Sequence, residues 1–238
     1  MKKLIPSFSL VEMLITIGIL AIVMLIATQT LNTIFKVSTI SRFKTITRNE
    51  IGFSLELVER LLANSNVVDV YLYDLYEEDS QSTTRRKYNE ESGEIEDDLS
   101  FIPSTIYDNQ LESGEFGTEI HIRPYGYNIW VCIGYFSGTG DYSDRGYLLK
   151  RTMVELADGH QSCFAPGDPG VNPILSLTSE DVKVNGFKVS YIKSSNLNNV
   201  FYVDLEMEPT SWAPGDRSNI EKVIVRQAVI TTKGLTWY

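Results

Sequence analysis

The sequence predicts an α+β chain, with one long N-terminal helix followed by a head built on a mostly antiparallel β-sheet. Three observations carry this. Phe8 to Ala27 is an almost unbroken apolar run. Past Leu31, apolar residues recur mostly at three- and four-residue steps, the period of a helix with one buried face. From Val67 the pattern changes to period two, the alternation of strands. The expected organisation is a leader over 1–7, a helix over 8–63 whose membrane-length part covers about 8–27, and a globular β-rich head over 64–238.

Composition limits the function classes. The 238 residues leave room for one sizeable domain plus an appendage. Apolar residues make up 43% and charged residues 22%, which suits a folded chain rather than a disordered one. A net charge of −10 argues against a sequence-independent nucleic-acid binder, which needs a basic surface to release counterions. Much of the excess acid lies in Glu77, Glu78, Asp79, Glu90, Glu91, Glu94, Glu96, Asp97 and Asp98, offset only by Arg85, Arg86 and Lys87. A solvated, mobile loop is the expected state of Glu77 to Asp98, and a cation site is the other reading.

The N-terminus comes first in the chain. Met1 to Ser7 carries Lys2, Lys3 and Pro6. The apolar run after it would extend about 30 Å as a helix, roughly one hydrocarbon core. A secretory signal peptide would have a shorter apolar stretch and a small-x-small site behind it, which Ala27-Thr28-Gln29 supplies poorly. A plain signal anchor fits the length but leaves Glu12 unexplained. A carboxylate in a spanning helix costs about 2–3 kcal/mol near the bilayer centre and less near the interface, so it marks function and needs a partner. No basic residue lies within helical reach on the apolar side. The partner must come from another chain, or from an amine made by cleavage just upstream.

Ser7 followed by Phe8-Ser9-Leu10-Val11-Glu12-Met13-Leu14 resembles the processing site of type IV prepilins and pseudopilins. The resemblance covers roughly Lys2 to Ala27. It implies cleavage between Ser7 and Phe8 by a prepilin peptidase on the cytoplasmic side, and N-methylation of Phe8. It also implies that Glu12 pairs with the N-terminal amine of a neighbouring subunit during assembly. Serine stands where the family usually has glycine before the cut. Lys2 and Lys3 favour a cytoplasmic N-terminus, whereas Lys36, Arg42 and Lys44 count the other way. The resemblance implies N-in, with the head outside. It further implies other pilin or pseudopilin subunits, the peptidase, an inner-membrane assembly platform and membrane lipid as partners.

No proline interrupts Phe8 to Ala63, so one continuous helix of about 80 Å is expected, stopping at Asn64-Ser65-Asn66. Its one-sided stripe reads as core packing against the head. Val68, Val70 and Leu72 alternate with Asp69, Tyr71 and Tyr73 in the first expected strand. Further strands are expected over 118–123, 128–135, 147–154, 182–192, 200–208 and 220–231, with turn-rich connectors over 165–172 and 209–219. The order of the last three strands resembles J-type pseudopilins and the larger minor pilins. Many major pilins carry a helix-bending proline at the position of Gln29, and one tip pseudopilin type lacks the glutamate that Glu12 supplies. The chain therefore resembles a minor subunit within a small tip complex.

Cys132 and Cys163 are too few for a disulfide scaffold or a zinc site. Both fall in the part expected outside the membrane, where one disulfide is the natural use of a pair, and two buried free thiols are the alternative. His121 alternates with Ile120 and Ile122 and is expected to face the surface. His160 lies in a turn, and neither histidine has metal-ligand spacing. No Gly-x-Ser-x-Gly elbow occurs, and Gly138 to Asp144 reads as a hairpin turn rather than a phosphate loop. Asp141 and Asp144, with the acidic run, are the only candidate calcium ligands, without the spacing of a dedicated loop. Tyr71, Tyr73, Tyr125, Tyr127, Trp130 and Tyr135 read as strand packing, or else as a recognition surface. No catalytic residue, cofactor or metal is expected. A structural filament subunit is the first reading, a membrane-anchored adhesin or binding protein the second, and a tethered enzyme the third.

Overall fold

A computed structural model describes residues 9–73, 86–97, 114–154, 163–164, 172–193, 199–210 and 222–232. Ser7, Phe8 and His160 lie outside these residues, as do 77–85 of the acidic insert and most of the two expected connectors.

Helix α1 runs unbroken from Leu10 to Ala63. Ser9 caps its start and Asn64 its end, where the Asn64 amide side chain donates to Arg60 O at 2.8 Å. Arg60 in the last turn also complements the negative end of the helix dipole. The hydroxyls along the apolar stretch do not go unsatisfied. Thr16 donates to Glu12 O at 2.7 Å, Thr28 to Met24 O at 2.8 Å and Thr30 to Ile26 O at 2.8 Å. Backbone carbonyls one turn back thus accept groups that hydrocarbon could not.

The head agrees with the α+β expectation and contains two sheets. The strands are β1 (Ser65–Tyr73), β2 (Arg86–Asn89), β3 (Glu94–Asp97), β4 (Phe116–Gly117), β5 (Glu119–Pro124), β6 (Ile129–Gly138), β7 (Gly146–Val154), β8 (Leu175–Ser176), β9 (Val182–Lys193), β10 (Asn199–Pro209) and β11 (Ile224–Thr231). A seven-stranded sheet runs β1-β5-β6-β2-β3, with β7 on β6 and β8 on β7; a four-stranded sheet runs β11-β10-β9-β4. Pairings are antiparallel except β2 with β6.

The first core lies where α1 meets both sheets. Ile51, Leu55, Val58 and Leu62 of α1 meet Leu72, Ile120, Ile122 and Ile133 of the larger sheet and Phe201, Val203 and Leu205 of the smaller one. Each buried side chain of this size contributes about 1.5–3 kcal/mol, which anchors the helix to the head without help from the apolar stretch. Where the sheets touch, Gly146 is required: a Cβ there would sit 2.1 Å from Val184 O.

A second core covers the opposite face of the larger sheet. Tyr88, Ile95, Trp130, Cys132, Phe136, Tyr147, Leu149, Met153, Cys163 and Phe164 form it. The β2–β3 hairpin corrects the expectation of a loop for the acidic run. Its exposed glutamates hide one inward residue per strand, Tyr88 and Ile95, and Gly93 takes φ 71° in the turn between them.

Candidate functional site

Glu12 stands at the third position of α1, exposed, within a capping box. Its amide donates to Ser9 Oγ at 3.2 Å, and the Ser9 amide donates to Glu12 Oε2 at 3.3 Å. Two orphan amides of the first turn are thereby satisfied. This holds the start of the helix closed and keeps the carboxylate near the chain that precedes Ser9. The carboxylate's other oxygen is left for a further donor.

The rest of the first half presents its side chains outward. Leu10 to Ile26 are exposed, and so are Leu31, Ile34, Phe35 and Val37. α1 is long and apolar enough to cross a membrane, and its most apolar window contributes nothing to the head's cores.

In the head, Cys132 and Cys163 are joined by a disulfide, S–S 2.06 Å, and neither sulfur-bearing residue is exposed. The bond pins the Cys163–Phe164 turn onto the outer face of β6. Arg151 reinforces it, donating from Nη1 to Cys163 O at 3.2 Å and from Nε to Asn172 O at 3.0 Å. Phe164 then packs edge-on against Phe136, with centroids 5.0 Å apart.

Under this cover lies a buried polar pair, Glu119 and His121, in direct side-chain contact. The expectation that His121 faces the surface is wrong. Its face of β5 is not solvent but the floor of the second core, closed by Tyr73 and Phe164. Gly134 makes room beside it, since a Cβ there would meet the Phe136 ring at 2.8 Å and Glu119 Cγ at 3.4 Å.

A second polar cluster locks the hairpin. Tyr147 Oη donates to Glu90 Oε2 at 2.5 Å, and Arg145 Nη1 lies 3.4 Å from the same oxygen. Burial, then the hydrogen bond to Glu90, pushes the Tyr147 phenol up to about 12. Tyr88, packed edge-on to Tyr147, is also raised, first by burial and then by the charge of Glu90. Of the other aromatic candidates, Tyr73 and Trp130 are buried packing residues, Tyr71 packs on Trp130, and Tyr125 and Tyr127 are exposed beside a turn. Asp141 and Asp144 are exposed in the β6–β7 connection. Among the described residues, no three His, Cys, Asp or Glu converge as metal ligands.

No protein-family model, curated protein or solved structure matches this chain.

Proposed function

We propose that this chain is a minor structural subunit of a type IV pilus or secretion pseudopilus, cut between Ser7 and Phe8, methylated on Phe8 and assembled through α1. Its partners in this reading are other pilin-like subunits, a prepilin peptidase, an inner-membrane assembly platform and lipid. The head lies outside the membrane, and the chain performs no enzymatic step.

Glu12 carries the reading. It is the one acid in an otherwise apolar segment, at the start of the helix and beside the point of cleavage. The new Phe8 amine of a neighbour supplies the missing cation. At 4 Å the pair gains at most about 4 kcal/mol at an effective dielectric of 20, less desolvation.

Exposed apolar side chains continue past the membrane-length run at Leu31, Ile34, Phe35 and Val37, and packing against neighbouring helices would cover them. The minor role rests on the acidic head, whose like charges would repel at every repeat of a homopolymer, and on Gln29, which imposes no kink.

Substituting Glu12 tests the reading. Glu12→Ala and Glu12→Val insert into the membrane normally but fail to enter sheared filaments. Normal incorporation of both variants contradicts the pairing of Glu12 with a neighbour's amine, whereas absence of the unsubstituted chain from filaments favours the anchored binding protein. Abundance in those filaments tests the minor role, which predicts a small fraction of the subunits.

A further inference from the structure

The four-stranded sheet ends at β11, and that edge is unfinished on both faces. β11 pairs with β10 from Thr231↔Val200 to Ile224↔Met207, and among the described residues nothing pairs with its other side. Natural edge strands are blunted by short length, proline, bulges, a covering element or charge, inward-pointing charge included, and Arg226 is the one charge on β11. β11 is eight residues long and has no proline. Val225 and Val229 stand opposite Glu206 and Tyr202 on the outer face, and they are 56% and 61% exposed.

The inner face is also incomplete. Arg226 stands opposite the buried Leu205 and so points toward α1. There the helix surface continues past the end of the sheet. A groove of about 530 Å³ lies between them, with Arg48, Asn49, Gly52, Phe53 and Arg226 in its walls. Gly52 borders the Arg226 side chain, since a Cβ there would stand at ordinary contact distance, 3.9 Å, from the guanidinium. Glu56, at one end of the groove, is held by Arg60 at 2.5 Å. Arg48 and Arg226 have no carboxylate partner among the described residues, in a chain of net charge −10.

We propose that the β11 edge accepts an extended segment of a partner protein as a fifth strand, with an acidic side chain facing inward at Arg226 and apolar side chains facing outward. Strand addition satisfies the backbone groups of β11 that pair with nothing among the described residues. Alternation at period two places that carboxylate beside Arg226 and Arg48, and aliphatic groups beside Val225 and Val229. An isolated phosphate or a lipid headgroup would meet the arginines and leave the valines and the backbone edge unserved. The site stands apart from the filament reading, since an anchored binding protein would use it equally.

The test uses the full chain in detergent micelles and two nine-residue peptides, one alternating valine with glutamate and the other valine with lysine. Titration is read by peptide anisotropy, and backbone protection by hydrogen exchange. The glutamate peptide is expected to bind, to slow exchange along 224–231, and to lose about tenfold in affinity in Arg48→Glu/Arg226→Glu. The double variant is expected to gain affinity for the lysine peptide, a reversal that misfolding would not produce. Equal binding of the two peptides by the unsubstituted chain overturns the proposal. So does failure of the glutamate peptide to bind, or protection that falls elsewhere. Full protection of the outward β11 amides before any peptide is added also overturns it, because the chain then covers its own edge.

Discussion

Glu119 and His121 lie two residues apart on β5, and their side chains meet, Oε1 to Nε2, with no exposed surface on either. Glu119 Oε2 accepts no hydrogen bond among the described residues. The head thus keeps a polar contact beneath an aromatic cover, where losing His121 leaves the Glu119 carboxylate buried without it.

His121→Ala should destabilise the head by about 3 kcal/mol or more, through the Glu119 carboxylate left buried. Glu119→Ala/His121→Ala should cost less than the two single alanine changes added together. Urea unfolding of the micelle-embedded chain checks this. Strict additivity would mean that the pair is not energetically coupled.

Removing the Cys132–Cys163 bond should cost about 3–4 kcal/mol in the loop-entropy model, for a sequence separation of 31. Cys132→Ser/Cys163→Ser should also release Phe164 from Phe136. Lower thermal stability with accelerated exchange around 163–164, and little change near α1, is the expected pattern.

The phenol of Tyr147 gives an alkaline signature. Its folded value is raised to about 12, against about 10 for an unfolded tyrosine. The stability this provides is complete below about pH 10 and is lost as pH rises through about 12. Thermal melts across that window should fall more steeply for the unsubstituted head than for Tyr147→Phe. Parallel curves would show that burial and the Glu90 contact do not hold the proton on Tyr147.

Much of this was legible in the residues. The three- and four-residue stripe of Ile51, Leu55, Val58 and Leu62 marked the buried face of α1, and alternation found the seven longer strands. His121 was misplaced because alternation separates two faces but does not say that both are covered. The β2–β3 hairpin was missed because charge dominates its composition. The period-two placing of Tyr88 and Ile95 on either side of Gly93 was the signal available. The β11 groove had no local signal at all, because Arg48 and Arg226 come together only through packing.

The central claim is that Glu12 serves a chain whose N-terminus is made by cleavage. Intact-mass measurement of the membrane-extracted protein, from cells with active prepilin peptidase, tests it most directly. The account predicts a chain that begins at Phe8 and carries one added methyl group. A chain that retains Met1 to Ser7 would contradict it.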